Sequence, residues 1–198
     1  MSTFIKAKVP GTDIVIPGLL VVEPVIHEDK ERGGSFHEFL QVDEFIANGI
    51  PLNKLTQGNA SESCKGVVRG LHFQKPPFAQ GKLIKVVWGE VLDVAVDVRI
   101  GSPTYGKHFG VILSAKNKMS FWIPEDGFAH GFMTLTEYVV FMYFVTGGRY
   151  NKDSEGGLRW NDPSLNIDWP EKNGIQTKKE DAQWPLLKDL KSPFVYKG

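Results

Sequence analysis

The stretch LIKVVWGEVLDVAVDVR, residues Leu83–Arg99, decides the fold class. Leu92, Val94, Val96 and Val98 alternate with Asp93, Ala95, Asp97 and Arg99, the period of two that belongs to a strand with two unlike faces. Leu83–Trp88 reads as a second strand, and Gly89-Glu90 between the two reads as a tight hairpin turn. The Asp93, Asp97, Arg99 face admits a catalytic reading, but an internal ion pair or a solvated face accounts for it more simply.

Working outward, the same strand signature recurs. Gly101-Ser-Pro103 turns the chain into Phe109–Ser114, Ala115–Lys118 turns it into Phe121–Pro124, and Tyr138–Thr146 forms a long strand with Val139, Phe141, Tyr143 and Val145 on one face. Upstream, Ile14–Ile16 and Leu19–Val22 are short strands punctuated by Pro17-Gly18, which marks them as sheet edges. A charged turn at Gly33-Gly34 returns into a strand carrying Phe36, Glu38 and Leu40. Val42–Ala47 is a brief helix ended by Asn48-Gly49. Leu52–Ala60 is extended, with Gln57 and Asn59 on one side. Many short strands with Gly/Pro turns at about ten-residue spacing predict an all-β sandwich or jelly roll with short helices. The last fifty residues form an irregular arm with Trp160, Trp169 and Trp184 and a helical turn near Lys178–Gln183. That arm wraps the barrel or a neighbouring subunit.

The bulk numbers bound the function. A chain of 198 residues with 41% hydrophobic content supports one domain with a real core. Its 23 basic and 23 acidic residues cancel, so no overall field recruits nucleic acid or an anionic membrane. One cysteine, Cys64, excludes an intramolecular disulfide framework and fits a reducing, cytoplasmic compartment. Without a neighbouring histidine it is a poor nucleophile. No apolar run has the length of a leader or a membrane span.

The chemistry concentrates in VVRGLHFQKPPFAQGKLIK, Val67–Lys85. Arg69, His72, Gln74 and Lys82 lie there within sixteen residues, on two strand-like runs joined by a Pro- and Gly-broken turn and read as a hairpin. His72 shares a face with Gly70 and Gln74, while Leu71 and Phe73 point the other way. A lone strand histidine is often a hydrogen-bonded structural residue, but two cations beside it favour a polar site. His72 and His130 raise a metal site. The second imidazole of such a hairpin is missing, and Lys82 would repel a divalent ion. A metal-free proton transfer at carbon fits better. Histidine, with an ordinary pKa of about 6.5, is a base near neutrality. Lys82 would stabilise the enolate oxygen. Tyr143 could return a proton from the opposite face, or could be a core tyrosine whose hydroxyl meets the backbone.

RGLHFQ, PPFAQGKL, GEVLDVAVDVRIGSPTYGKH, IPEDGFAHGF and WNDPSLNIDWP, in this order, resemble the dTDP-4-dehydrorhamnose 3,5-epimerase family, from about Val15 to Leu187. The resemblance implies a cupin-type jelly-roll barrel, no cofactor or metal, a homodimer with exchanged N-terminal strands, and a dTDP-linked 4-keto-6-deoxyhexose substrate. It also implies a division of the single domain into N-terminal strands 1–60 at the dimer interface, a core barrel 61–146 and an arm 147–198. By the same resemblance His72 is the base, Asp181 pairs with it, Tyr143 reprotonates, and Lys82 and Arg69 meet the keto oxygen and the diphosphate. His130, Gln57, Asn59, Glu38 and Glu155 match substrate-binding positions, Arg32 a phosphate contact, and Tyr150 the ring that stacks on the base. The implied activity is epimerisation at C3 and C5. A mono-epimerase, a ketoisomerase and a non-catalytic sugar-nucleotide-binding cupin remain open alternatives. Three departures stand out: one extra residue between Arg32 and Phe36, Glu180 where a basic residue is usual before Asp181, and Gly147-Gly148 where bulkier residues are usual. The glycines predict a looser cavity rim.

Overall fold

The computed structural model describes residues 1–170 and 175–198. Among them the strands, in chain order, are β1 (Thr3–Lys8), β2 (Val15–Glu23), β3 (His27–Asp29), β4 (Gly34–Phe36), β5 (Leu55–Cys64), β6 (Val68–Gln74), β7 (Gln80–Trp88), β8 (Glu90–Asp97), β9 (His108–Ser114), β10 (Ser120–Ile123), β11 (Phe128–Thr134), β12 (Tyr138–Gly147) and β13 (Glu155–Gly157). One sheet runs β1-β2-β10-β7-β12-β5 and faces a second that runs β13-β6-β11-β8-β9, while β3 and β4 form a separate hairpin. From β5 to β8 each successive strand changes sheet, the habit of a jelly roll.

That alternation corrects two sequence expectations. Gly89 does not close a hairpin, because β7 and β8 lie in different sheets. It is a corner, with φ +76° and a place where any side chain would strike Tyr138 O and Thr136 Oγ1. The 67–85 stretch is likewise no hairpin: β6 and β7 belong to different sheets. Glycine turn signals and residue alternation are the same for a hairpin and for a corner, so only the pairing distinguishes them.

Three layers of packing follow from the two-faced strands. Between the sheets, Ile84, Phe121 and Phe141 meet Val91, Ala95 and Phe132. The opposite face of β8, with Val94 and Val96, and Val98 just beyond it are covered by Leu158, Leu165, Trp169 and Phe194 of the arm. The arm therefore wraps its own barrel, and it lends β13 to the second sheet. On the outside of the first sheet, Val22, Leu83 and Trp122 pack against Phe45, Ile50 and Leu52. Phe45 belongs to helix α1 (Val42–Ala47). The helix ends as its Asn48-Gly49 predicts: Ile50 N–H donates to Phe45 O, Gly49 N–H donates to Ile46 O, and Gly49 has φ +85°.

The N-terminal reading changes more. The two short strands expected here are one, β2 (Val15–Glu23), and it is internal rather than an edge. Pro17 is tolerated because β10 pairs only with Leu20–Val22 and the β1 register breaks between Lys6↔Leu20 and Lys8↔Val15, so neither neighbour pairs with Pro17. Both β1 and β2, the strands expected to exchange between subunits, complete the chain's own sheet. The sandwich thus draws strands from outside 61–146 at both ends. Glu38 and Leu40 fall beyond β4, outside any strand.

Candidate functional site

Arg69 and His72 are three apart, and a regular strand would put them on opposite faces. The β6–β11 register slips between the pairs Phe132↔Arg69 and His130↔His72. This irregularity resets the phase, so both side chains line one cavity. Gly70 makes the slip possible. Its φ is +113°, and a Cβ there would stand 2.5 Å from His130 O and 2.7 Å from Gly131 Cα. Leu71 and Phe73 turn to the buried outer layer as expected.

The cavity, of about 380 Å³, lies between the sheets. Arg69, His72 and His130 come from the second sheet, and Asn59, Lys82 and Tyr143 from the facing one. Tyr150, Glu155, Lys178 and Asp181 close it from the loops and the arm. Gln57 stands beside it, donating from Nε2 to Asn59 Oδ1 at 2.8 Å.

His72 Nε2 and Asp181 Oδ1 are 2.6 Å apart, and Gly70 N–H donates to Asp181 Oδ2 at 3.3 Å. Burial alone would raise the Asp181 carboxyl, but the hydrogen bond and charge of His72 hold it below the usual carboxylate range. An ionised Asp181 accepting Nε2–H leaves the lone pair of neutral His72 on Nδ1. Trp184, from the same turn as Asp181, stands edge-on to the imidazole at 6.2 Å between ring centres.

On the facing sheet, burial pushes the Tyr143 hydroxyl up, so it keeps its proton. Lys82 Nζ lies 5.9 Å from the centre of that ring. Burial brings the Lys82 ammonium down to about 8, against the opposing pull of Asp93 and Glu155. Arg69 is braced on β5, with Nε and Nη2 donating to Ser63 Oγ at 3.2 and 3.0 Å. The Tyr150 hydroxyl donates to Glu155 Oε2 at 3.3 Å.

A second pair lies deeper. His130 Nε2 and Asp93 Oδ1 are 2.9 Å apart. Burial raises the Asp93 carboxyl and lowers the His130 imidazole, so the pair favours one shared proton over two separated charges. Sequence reasoning left Asp93 on an ion-pair face, where Asp97 and Arg99 do pair at 2.7 Å. The signal for Asp93 was its phase with Val91 and Ala95, which face the interior. Lys178 was another cavity residue missed.

Two expected site residues are elsewhere. Arg32 sits in the exposed β3–β4 turn, paired with Asp29 at 2.7 Å. Glu38 lines a separate groove beside Met1 and Glu44. Neither lines this chain's cavity: Arg32 belongs to, and Glu38 follows, a β3–β4 hairpin that stands apart from both sheets. Gln74 accepts Asn151 N–H at 2.9 Å rather than facing the cavity. Among the described residues, no group of three or more His, Cys, Asp or Glu is placed to hold a metal ion, and no helix is long and apolar enough to cross a membrane.

Residues 13–189 match the family model described as dTDP-4-dehydrorhamnose 3,5-epimerase. The chain is similar to the dTDP-4-dehydrorhamnose 3,5-epimerase of Salmonella typhimurium strain LT2, 47% identical over 87% of this chain and 92% of the relative. It is 48% identical to that of Sinorhizobium fredii strain NBRC 101917 / NGR234, over 82% of this chain and 83% of the relative. Among solved structures it resembles dTDP-6-deoxy-D-glucose-3,5-epimerase from Legionella pneumophila Philadelphia 1 in complex with dTDP-4-keto-L-rhamnose. That likeness has a TM-score of 0.86 and 41% identity, covering 100% of both chains.

Proposed function

The chain belongs to the dTDP-4-dehydrorhamnose 3,5-epimerase family, and we propose that it inverts C3 and C5 of a dTDP-linked 4-keto-6-deoxyhexose. The observation that carries this is a base and an acid on opposite walls of one cavity: His72 on β6 and Tyr143 on β12. His72 removes the proton on a carbon beside the keto group, and the electron pair moves to the C4 oxygen. The Lys82 ammonium stabilises that enolate. Tyr143 returns a proton to the other face, which inverts the centre. His72 then holds one proton more and Tyr143 one fewer, and exchange with solvent restores both. The same set serves the second carbon after the ring turns.

Arg69 and Lys178 favour a diphosphate, and the exposed ring of Tyr150 offers a face to the base. Arg32 and Glu38 would reach substrate only at the cavity of a second copy, which supports a homodimer. The single cysteine favours a cytoplasmic setting, and no cofactor or metal is required by this proton chemistry. The test is proton NMR of dTDP-4-keto-6-deoxyglucose with the protein in deuterated water. Exchange at both carbons with new L-configured product is expected. Exchange at one carbon alone, or migration of the keto group, would replace this reading with a mono-epimerase or a ketoisomerase.

A further inference from the structure

The two glycines that predict a loose rim do the reverse. Gly147 has φ +80°, and a side chain there would meet Glu125 and Ala79 O. At Gly148 a Cβ would lie 2.5–2.7 Å from Cα, C and O of Phe78, backbone that has no flexible end to move aside. The 75–79 loop therefore lies directly on residues 147–148. Gly148 N–H donates to Ala79 O and Gln80 Nε2 donates to Gly148 O, both at 2.9 Å. Farther along, Asn151 N–H donates to Gln74 Oε1 at 2.9 Å and Lys75 N–H to Ser154 O at 2.7 Å. These bonds clasp the β6–β7 loop to the β12–β13 loop. One side of the clasp leads into His72 and Lys82, and the other carries Tyr150 and Glu155 to the cavity.

We propose that Gly148 is a positioning residue for the nucleotide: its missing side chain seats the 75–79 loop on the β12–β13 loop and so sets where Tyr150 and Glu155 stand. The inference rests on the epimerase reading above for the identity of the ligand. A side chain at Gly148 must push the two loops apart, because Phe78 backbone occupies its place. The displaced contacts are those of the substrate's nucleotide, which stays attached throughout, rather than of the reacting carbons. The loss therefore falls on binding and spares the chemical step.

The experiment compares wild type, Gly148→Ala and Gln80→Met by calorimetric titration with dTDP and by steady-state kinetics on dTDP-4-keto-6-deoxyglucose. Gly148→Ala should raise both the dTDP Kd and KM on the order of tenfold with kcat within about twofold. Gln80→Met, which removes one bond of the clasp without adding bulk, should shift both in the same direction by less. Unchanged Kd and KM in Gly148→Ala would overturn the proposal, as would a fall in kcat alone, the mark of a smaller folded fraction. If Gly148→Ala does not fold, Gln80→Met decides, and wild-type binding in that variant overturns it. A wild type that binds dTDP but moves no proton would sink the epimerase reading instead, with the Kd comparison still standing.

Discussion

Among the described residues, two histidine–carboxylate pairs stand at one cavity, and they are not equivalent. His72 and Asp181 meet at 2.6 Å across 109 residues of chain, and the His72 side chain is 28% exposed against 4% for Asp181. His130 and Asp93 meet at 2.9 Å on neighbouring strands, at 8% and 0%. In the first pair the carboxyl is held low and the imidazole opens on the cavity, so a proton taken by His72 is stabilised by a standing negative charge. In the second, burial penalises both ions and the pair shares one proton, so taking up a second would place a net charge in the core. Similar geometry suits the proposed base in one place and a hydrogen-bonding wall in the other. Solvent access makes the difference.

The largest effect that could break this comparison comes from the proposed base itself. His72→Asn should cut deuterium exchange at the substrate carbons by about 10²–10⁴-fold while dTDP binding measured by calorimetry persists. Near-normal exchange would transfer the role of base to another group, His130 first. Next, Asp181→Asn should lower kcat by on the order of 10²-fold or more, since an amide cannot neutralise the imidazolium. Asp93→Asn should lose about tenfold or less, because an amide still offers His130 a hydrogen bond. Equal losses in the two variants would erase the distinction between the pairs.

Tyr143→Phe is expected to separate exchange from inversion. The enolate still forms but regains its proton from the starting face, so NMR should show inversion falling about tenfold more than exchange. Parallel losses would remove Tyr143 as the acid. The last effect is one of pH. Lys82 is held at about 8, below its ordinary value near 10.5. It therefore carries its charge below pH 8 and loses it above. If its ammonium holds the enolate, kcat should fall about tenfold per pH unit above 8. Stability should move the other way over pH 8 to 10.5, where the unfolded chain binds more protons than the folded one and a rise in pH favours folding. A kcat that stays flat to pH 10 would relieve Lys82 of that part.

The reading of the sequence reached different depths at different residues. Leu92, Val94, Val96 and Val98 were legible as one face, and α1 was legible to its last hydrogen bond, because both depend on interactions within a few residues. Gly89 was legible as a bend but not as a corner, since its partner strands are set by residues far along the chain. Arg69 and His72 were legible as neighbours, yet their common face depends on a register slip opposite His130 and Gly131 that no spacing rule records. Gly148 was misread as slack for the same reason: the backbone of Phe78 fills the space beside it.

The sequence by itself determined the all-β class, the two faces of each strand and the short helix with its glycine cap. These follow from side-chain periodicity and local backbone preference, which act over one or two turns of chain. Only the tertiary structure decided which strands are neighbours, which wall of the cavity each residue occupies, and which of two histidines stays open to solvent. Those depend on long-range pairing and on burial, and burial belongs to the folded chain as a whole.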